Sequence, residues 1–266
     1  MIMRCYKFIL LMGLSLAVIL LCACDKARTE NEEIDMARSA YSAGHFTEAE
    51  RLYEKYLQLK PEGEDRWEAW NRLLDVALSV RGDYEKAAGL LDAMVLEYGD
   101  VPGRAASLMT KLADVFEQMR DWDKAIDSWQ KCLNLPDLPE DKIPYIHWKL
   151  SKIYQNQRDY DLAQDALKTC IGESRENESK AMCLYELAQT LGYQNNWPEA
   201  RKNLSAILEL KGVGEERVAL ATFMLADIYE QEGNFKEAIQ LIQSIRDTYP
   251  NPKVIETRLR HLENAK

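Results

Sequence analysis

The sequence predicts an all-α protein, a solenoid of about six helix-turn-helix repeats followed by a C-terminal capping helix. Two observations carry this prediction. Six short segments, each with an aromatic residue three positions before an alanine, recur along the chain, and amphipathic helical patterns flank them on both sides. Because one helical hairpin cannot bury its own apolar face, successive hairpins must stack on one another.

The recurring segments lie at nearly constant intervals, since their aromatic residues are separated by 38, 38, 38, 37 and 38 residues. We predict that the alanine lets two helices approach closely and that the aromatic fills the wedge beside it. A larger side chain at the alanine would overpack by ~1–3 kcal/mol. The segments are GHFTEA ending at Ala49, GDYEKA at Ala87, RDWDKA at Ala125, RDYDLA at Ala163, NNWPEA at Ala200 and GNFKEA at Ala238.

An amphipathic helix precedes each segment. In the third repeat Met109, Leu112, Ala113 and Phe116 follow the i, i+3, i+4, i+7 spacing of one helix face. A second amphipathic helix follows each segment, so the repeating unit is a helical hairpin. The same first-helix stripe recurs as His147, Leu150, Ser151 and Tyr154, as Leu184, Leu187, Ala188 and Leu191, and as Thr222, Leu225, Ala226 and Tyr229.

The turn between the two helices has the residues of a helix C-cap followed by an N-cap. Its first position requires a left-handed backbone, which glycine adopts freely and asparagine nearly so, whereas Arg120 and Arg158 would each cost ~1 kcal/mol or more. Its second position is Asp or Asn in five repeats, and we predict that these side chains cap the second helix, with His45 as the exception. The predicted left-handed residues are Gly44, Gly82, Arg120, Arg158, Asn195 and Gly233, and the predicted caps are Asp83, Asp121, Asp159, Asn196 and Asn234.

Two repeats depart from this regular pattern. The second carries one extra residue at its turn, because residues 73–76 align with residues 112–115 only with that insertion. The first helix of the first repeat has Met36, Ala37 and Ala40 on its stripe and no large residue, which suits an exposed starting cap.

The pattern resembles the tetratricopeptide repeat, in which a small residue and then an aromatic on the first helix precede a Gly-Asp-Tyr-x-x-Ala turn, often with an exit proline. The last repeat fits closely, with Ala226, Tyr229, the Gly233–Asn234–Phe235 turn, Ala238 and Pro250. The resemblance covers residues 29–252, although the period is 38 rather than 34. Residues 253–266 offer one more amphipathic helix to seal the far end, with Val254, Leu259 and Leu262 on its apolar face.

The resemblance implies that the first helices line a concave face and that residues beside the core stripe point into it. Aromatic anchors in such a groove usually carry peptide-binding energy. The alternative is that Trp148 and Tyr185 only pack between repeats, where burying either contributes ~1.5–3 kcal/mol without a partner. The basic clamp that some family members use for C-terminal carboxylates does not match, because Asp114 and Asp227 stand where Asn or Lys is expected. The predicted groove residues are Tyr145, Trp148, Lys152, Tyr185, Gln189, Tyr193, Phe223, Asp227 and Glu230.

The start of the chain has the features of an export signal. Residues 8–24 carry no charge, follow Arg4 and Lys7, and form a run of 17 residues that is shorter than the ~20 of a spanning helix. Leu21-Cys22-Ala23-Cys24 resembles the bacterial lipobox, which implies a signal peptide over residues 1–23, acylation of Cys24 and a tether over residues 24–28. An ordinary secretory signal or an uncleaved signal anchor is the alternative. Two or more acyl chains hold a protein on a bilayer stably.

Composition narrows the choice of partners. The segment 1–23 contains two basic residues and no acidic one, so its removal changes the formal net charge from −10 to about −12. An acidic surface repels nucleic acid, which we therefore exclude as a partner.

Three cysteines remain after Cys24, an odd number for a disulfide framework. Cys170 and Cys183 lie on consecutive predicted helices, and their pairing stays open because sequence proximity does not guarantee disulfide geometry.

The sequence lacks the motifs of catalysis. It contains no phosphate-binding glycine loop with lysine, no G-x-S-x-G and no H-E-x-x-H, and His45, His147 and His261 lie far apart. We therefore expect no enzyme, no cofactor, no metal site and no small-molecule substrate.

The main hypothesis is a lipoprotein anchored in the cell membrane or outer membrane and facing the periplasm, a scaffold that binds envelope proteins or peptides during envelope assembly. The alternative is a soluble secreted or periplasmic binding protein, or an accessory subunit of an envelope enzyme.

Overall fold

A computed structural model describes residues 32–264, and within that range the protein is all-α, as predicted, with thirteen α-helices and no β-strand. The first helix, α1, is described over residues 32–42. The others are α2 (Phe46–Leu59), α3 (Arg66–Asp75), α4 (Tyr84–Tyr98), α5 (Arg104–Met119), α6 (Trp122–Leu133), α7 (Ile143–Asn156), α8 (Tyr160–Glu173), α9 (Asn177–Tyr193), α10 (Trp197–Glu209), α11 (Glu215–Gln231), α12 (Phe235–Ser244) and α13 (Pro252–Asn264).

The chain divides into two compact units, which meet in sequence between Asp100 and Val101. Unit 1 holds two hairpins, α1 with α2 and α3 with α4. Its core includes Ala37, Ala49, Tyr53 and Leu73, none of which is exposed to solvent. The expectation that α1 lacks a large core residue is wrong, because Ile34 is also fully buried in this cluster.

Unit 2 holds four hairpins, α5 with α6 through α11 with α12, and the helix α13. Each helix packs against its neighbours in the chain, and α7, α9 and α11 also contact one another in turn. Stacking of successive hairpins is therefore observed in this unit. Helix α13 packs on α12 and buries Ile255 and Leu262, with Leu259 partly buried beside them, whereas Val254 is exposed.

All six predicted left-handed turn residues adopt the left-handed backbone. The three glycines have φ between 63° and 79°, and Arg120, Arg158 and Asn195 have φ of 58°, 63° and 58°. After Arg158, the N–H of Asp159 donates to the carbonyl of Tyr154 at 2.8 Å, the long-range bond of a Schellman motif. The turn geometry thus holds even where the residue type disfavours it.

Replacing Arg158 by glycine is expected to raise the free energy of unfolding by roughly 0.5–1 kcal/mol. The left-handed conformation costs a non-glycine residue about 1–2 kcal/mol, and the extra freedom of glycine in the unfolded chain offsets about 0.4–1 kcal/mol of the relief. Urea denaturation followed by circular dichroism measures the change. Gly233→Ala is the matched control and should lower the free energy of unfolding, because alanine is strained at a φ of 79°. Nothing lies within 4 Å of the added Cβ, so this change tests the backbone strain alone. A loss of stability in Arg158→Gly would contradict the strain argument.

The prediction for the N-caps is right for aspartate and wrong for asparagine. Asp83 accepts a hydrogen bond from the N–H of Lys86 at 2.9 Å, and Asp121 and Asp159 accept equivalent bonds. Asn196 and Asn234 make no side-chain cap bond. The Asn234 Nδ2 donates to the Glu232 carboxylate at 3.3 Å, and its Oδ1 accepts no cap bond from the backbone of α12.

The small turn alanine is buried in every repeat, as predicted, since all six alanines are completely inaccessible to solvent. The aromatic three positions earlier is only partly buried in five repeats, and Tyr84 is 37% exposed. The aromatic therefore lines the edge of the helix contact and leaves part of its ring to solvent.

The extra residue predicted in the second repeat is absorbed within its first helix. Helix α3 continues into a π-helical turn, Val76–Arg81, which ends at the left-handed Gly82. A π-helical turn accommodates one residue more than an α-helical turn of the same rise. The Gly82–Asp83 turn consequently keeps the geometry of its counterparts.

A disulfide joins Cys170 on α8 to Cys183 on α9, with 6.0 Å between their Cα atoms, within the usual disulfide range. The pairing that the sequence left open is thus present in the structure. Cys132 is a free thiol buried in the core, and burial raises its pKa.

Candidate functional site

The predicted groove residues lie on three adjacent helices of unit 2. Helices α7, α9 and α11 are the first helices of consecutive hairpins and contact one another side by side. Their apolar stripes face the second helices, so the residues beside each stripe form a continuous lateral surface. This surface has two halves of different character.

The C-terminal half contains a cleft of about 440 Å³, which we call the groove cleft. Five of the nine predicted groove residues line it, three from α9 and two from α11. These five are Tyr185, Gln189, Tyr193, Phe223 and Asp227. The structure therefore brings five of the six predicted residues of repeats 5 and 6 together around one space, and Glu230 does not line it.

Five further residues line the groove cleft and were not predicted as groove residues: Gly192, Trp197, Leu220, Met224 and Tyr249. Trp197 is the turn aromatic of the fifth repeat, to which the sequence assigned a packing role alone. Tyr249 lies in the connection between α12 and α13, directly before Pro250. The only sequence signal for Tyr249 is an aromatic residue at the exit of the repeat.

Aromatic rings and a glycine shape the walls of the groove cleft. Phe223 and Tyr249 stack with 4.9 Å between ring centroids, and Tyr193 stacks on Tyr160 at 5.6 Å. Gly192 lets Trp197 approach, because a Cβ at this glycine would lie 3.1 Å from the Trp197 ring. Tyr193 is nevertheless 62% exposed. Its ring is thus an accessible apolar surface at the mouth of the cleft.

Charged side chains of α11 and α13 meet at one end of the groove cleft. Arg258 donates to the Asp227 carboxylate at 2.5 Å and also bonds to Glu230, which lies 3.2 Å from the imidazole of His261. Burial raises the pKa of Asp227, and the Arg258 guanidinium opposes that shift. Burial likewise raises the pKa of the Tyr185 hydroxyl. Both side chains are partly buried.

The N-terminal half of the surface is an aromatic cluster that is mostly packed. Tyr145 lies 5.6 Å from Trp148 and 6.1 Å from Trp129, measured between ring centroids. Trp148 packs against the core cluster of α8 to α10, and its Nε1 is buried without a hydrogen-bond partner among the described residues. These contacts favour the packing interpretation for Trp148, whereas Tyr145 is 37% exposed.

Two polar contacts link the first helices across this surface. Lys152 on α7 pairs with Glu186 on α9 at 3.0 Å, and Gln155 donates to the Thr190 hydroxyl at 2.8 Å. Lys152 is therefore already engaged in an ion pair between consecutive repeats. The predicted groove residues thus divide into a C-terminal set around a cleft and an N-terminal set that joins helices.

The predicted lipidation site, Cys24, lies outside the described residues, as do the predicted signal peptide and tether. Within residues 32–264, no helix combines the length and apolar character that crossing a membrane requires. In the same range, no three His, Cys, Asp or Glu side chains converge in a way that could hold a metal ion.

Family models match most of the described chain. Models of the tetratricopeptide repeat match residues 34–105 and 185–251, residues 108–143, and residues 144–177. No curated protein sequence matches the chain.

Solved structures of low sequence identity share the fold. BtubC (BKLC) from P. vanneervenii is 18% identical, with a TM-score of 0.56 over 78% of this chain and 93% of that one. The C-terminal part of a TPR repeat-containing protein from Cytophaga hutchinsonii is 15% identical, with a TM-score of 0.57 over 80% and 78%. PilF of Pseudomonas aeruginosa is 12% identical, with a TM-score of 0.51 over 89% and 97%.

Proposed function

This chain belongs to the tetratricopeptide repeat family, and we propose that it is a lipoprotein anchored to the cell membrane or outer membrane, a periplasmic scaffold that binds envelope proteins during envelope assembly. Such repeats typically bind protein partners, and their scaffolds are generally not enzymes. The observation that carries the binding role is the groove cleft, where five predicted groove residues meet around about 440 Å³ of accessible space.

Three features support the exported, anchored form of this proposal. Residues 21–24 resemble a lipobox and stand at the end of an uncharged run, residues 8–24. The disulfide between Cys170 and Cys183 supports an oxidising compartment, because such bonds persist outside the reducing cytosol. The tether that we propose over residues 24–28 would keep the repeats within a short distance of the bilayer. Confinement near the membrane raises the effective concentration toward membrane-bound partners.

The proposed division of the chain follows from these features. We propose a signal peptide over residues 1–23, a lipidated tether over residues 24–28, repeats over residues 29–252 and a capping helix over residues 253–266. Cleavage before Cys24 leaves its thiol and amino group as acylation sites.

Labelling of expressing cells with a clickable fatty acid tests the anchor. The wild-type chain should take up label and fractionate with membranes, whereas Cys24→Ser should lose the label and appear in the soluble periplasmic fraction. Cys22→Ser is the matched control and should be labelled, because residue 22 leaves with the signal peptide. An unlabelled wild-type chain in the soluble periplasm would reject the lipoprotein hypothesis and favour the alternative, a secreted binding protein. Label that persists in Cys24→Ser would reject Cys24 as the site.

Cross-linking of membranes followed by affinity purification tests the groove. Tyr193→Ala and Phe223→Ala should each lower the yield of the partner at least 5-fold, because each removes a ring from the groove cleft. Tyr84→Ala removes a partly exposed tyrosine from unit 1 and should leave the yield unchanged. Equal yields from all variants, with unchanged circular dichroism, would exclude the groove cleft as the binding surface.

A further inference from the structure

We propose that the groove cleft binds a cationic side chain, Lys or Arg, presented by the partner protein. This inference rests on the proposed role of the groove cleft in protein binding and specifies the chemistry of what it holds. Three observations support it: the aromatic walls, the charge at one end, and a related arrangement that the chain fills with its own lysine.

The walls supply the ring faces that attract a cation. Tyr185, Tyr193, Trp197, Phe223 and Tyr249 all line the groove cleft. A cation over such a face gains about 0.5–1 kcal/mol at an exposed site and about 2 kcal/mol or more when water is excluded. The long methylene stem of lysine or arginine also fills an apolar cleft while its charged end reaches a polar group.

The charge around the groove cleft is acidic. Asp227 is the only carboxylate among the described lining residues, and no lysine, arginine or histidine lines the groove cleft in that part of the chain. Asp227 and Glu230 share the single guanidinium of Arg258, so the three groups together carry a net charge of −1. Glu230 also contacts His261 and does not line the groove cleft. Asp227 is therefore the carboxylate that a bound side chain would contact.

The Asp227 side chain is 35% exposed, and its partial burial raises its pKa although the Arg258 contact opposes that shift. An added cation beside this carboxylate would favour its charged form and so lower that pKa. An acidic or carboxylate-terminated segment of a partner would instead disfavour the charged form of Asp227 and raise its pKa. The charge of the chain, formally −10, points the same way because it attracts basic partners over longer distances.

The same unit contains a filled version of this arrangement. Lys149 on α7 lies 5.6 Å from the centroid of the Trp129 ring and 2.8 Å from the carboxylates of both Asp114 and Glu117. Asp114 and Glu117 occupy the positions of Asp227 and Glu230 three repeats earlier, 113 residues before them in both cases. The chain therefore already holds a cation between an acidic pair and an aromatic face.

The pair of Asp227 and Glu230 differs from the pair of Asp114 and Glu117 in the side chains that lie next to it. Arg258 reaches Asp227 and Glu230 from α13 but does not line the groove cleft. No cation lines the aromatic space next to Asp227 in the described part of the chain, whereas Lys149 lies over the Trp129 ring upstream. Arg258 therefore pairs with Asp227 and Glu230 as Lys149 pairs with Asp114 and Glu117. A cationic side chain from another protein would lie against the rings of the groove cleft and contact Asp227 from that side.

Fluorine NMR tests the proposal on the full chain purified in detergent and labelled with 5-fluorotryptophan. The resonance of Trp197, assigned with Trp197→Phe, reports on the groove cleft. The probes are three blocked pentapeptides, Ac-Ala-Ala-X-Ala-Ala-NH2, with X as Arg, Gln or Glu. We expect the Arg peptide to shift this resonance saturably, at least 5-fold more tightly than the Gln peptide, and the Glu peptide to bind more weakly than either.

Two variants separate the carboxylate from the rings. Asp227→Asn should weaken binding of the Arg peptide at least 5-fold, and Tyr249→Leu should weaken it at least 3-fold while it preserves an apolar wall. Asp114→Asn is the matched control, since it alters the upstream acidic pair and should leave the Trp197 titration unchanged. Circular dichroism and urea denaturation confirm that each variant is folded. Because the two test variants alter different lining residues, one remains informative if the other unfolds.

Equal binding of the Arg and Gln peptides, tighter binding of the Glu peptide, or no shift of Trp197 at 20 mM Arg peptide would each overturn the cation site. The proposed scaffold function is judged separately, by the cross-linking yields of Tyr193→Ala and Phe223→Ala. If those variants lose the partner while the peptides show no preference for arginine, the groove binds protein by other contacts.

Discussion

Replacing Trp129 by alanine is expected to lower the free energy of unfolding by about 3–5 kcal/mol, the range for truncating a buried tryptophan. Trp129 is completely inaccessible to solvent, and its Nε1 donates to the Glu117 carboxylate at 2.8 Å. The same ring faces Lys149 and Tyr145. Truncation therefore leaves a cavity, removes a charge-assisted hydrogen bond and takes away the aromatic face under a lysine.

Urea denaturation followed by circular dichroism measures this loss, which is a large share of the ~5–15 kcal/mol typical of a folded domain. Since stability in repeat proteins is local to neighbouring repeats, hydrogen exchange should accelerate most in α5 to α7. Trp129→Phe is the control, because it keeps a large ring and removes the N–H donor, and it should cost clearly less. A loss below about 1 kcal/mol in Trp129→Ala would show that this contact is not a centre of stability.

Removing the disulfide with the double substitution Cys170→Ala and Cys183→Ala is expected to cost about 2–4 kcal/mol. The bond closes a loop with a sequence separation of 13 residues, and constraining a loop of about this length in the unfolded chain contributes ~3 kcal/mol. Both positions are buried, so alanine keeps them apolar. Urea denaturation with and without reductant measures the effect.

Reductant should destabilise the wild-type chain by a similar amount and leave the double variant unchanged. Cys132→Ala is the control, since it truncates a buried thiol that forms no disulfide, and reductant should lower its stability as it lowers that of the wild type. If reductant leaves the stability of the wild-type chain unaltered, the bond contributes nothing and the compartment argument drawn from it also fails.

The sequence predicts the hairpins and turns well because a few local residues determine each of them. A left-handed C-cap position is visible as glycine in three repeats, and the constant spacing identifies Arg120 and Arg158 at the same position in two others. The insertion before Gly82 was visible from alignment alone. That it would form a π-helical turn was not, because an extra residue could equally have extended the loop.

The predictions fail where long-range contacts decide the outcome. Ile34 lies one turn before the expected stripe of α1, yet packing against α2 buries it. Asn234 has the chemistry of a cap, but its Oδ1 accepts no cap bond, and its Nδ2 donates to Glu232. Tyr249 reaches the groove cleft from a connection whose path no periodicity specifies.

Long-range contacts also decide which of the predicted groove residues are open to solvent and which are covered. Residues beside the core stripe share one face of a helix, which the sequence shows, but their neighbours decide whether that face is open. Trp148 is covered by adjoining helices, whereas Tyr193 remains 62% exposed. Glu230 lies on the predicted face and is engaged by Arg258 and His261 of α13, which the sequence identified only as a capping helix.

The π-helical turn Val76–Arg81 has a consequence for how such a chain changes length during evolution. The added residue widens one turn of α3 and leaves both ends of that helix in place, so Gly82 and Asp83 still begin the next helix with the usual geometry. We expect a codon gained or lost within this stretch to alter the local winding of the helix. The interior of a first helix is thus a place where the gene for a repeat array tolerates small insertions and deletions.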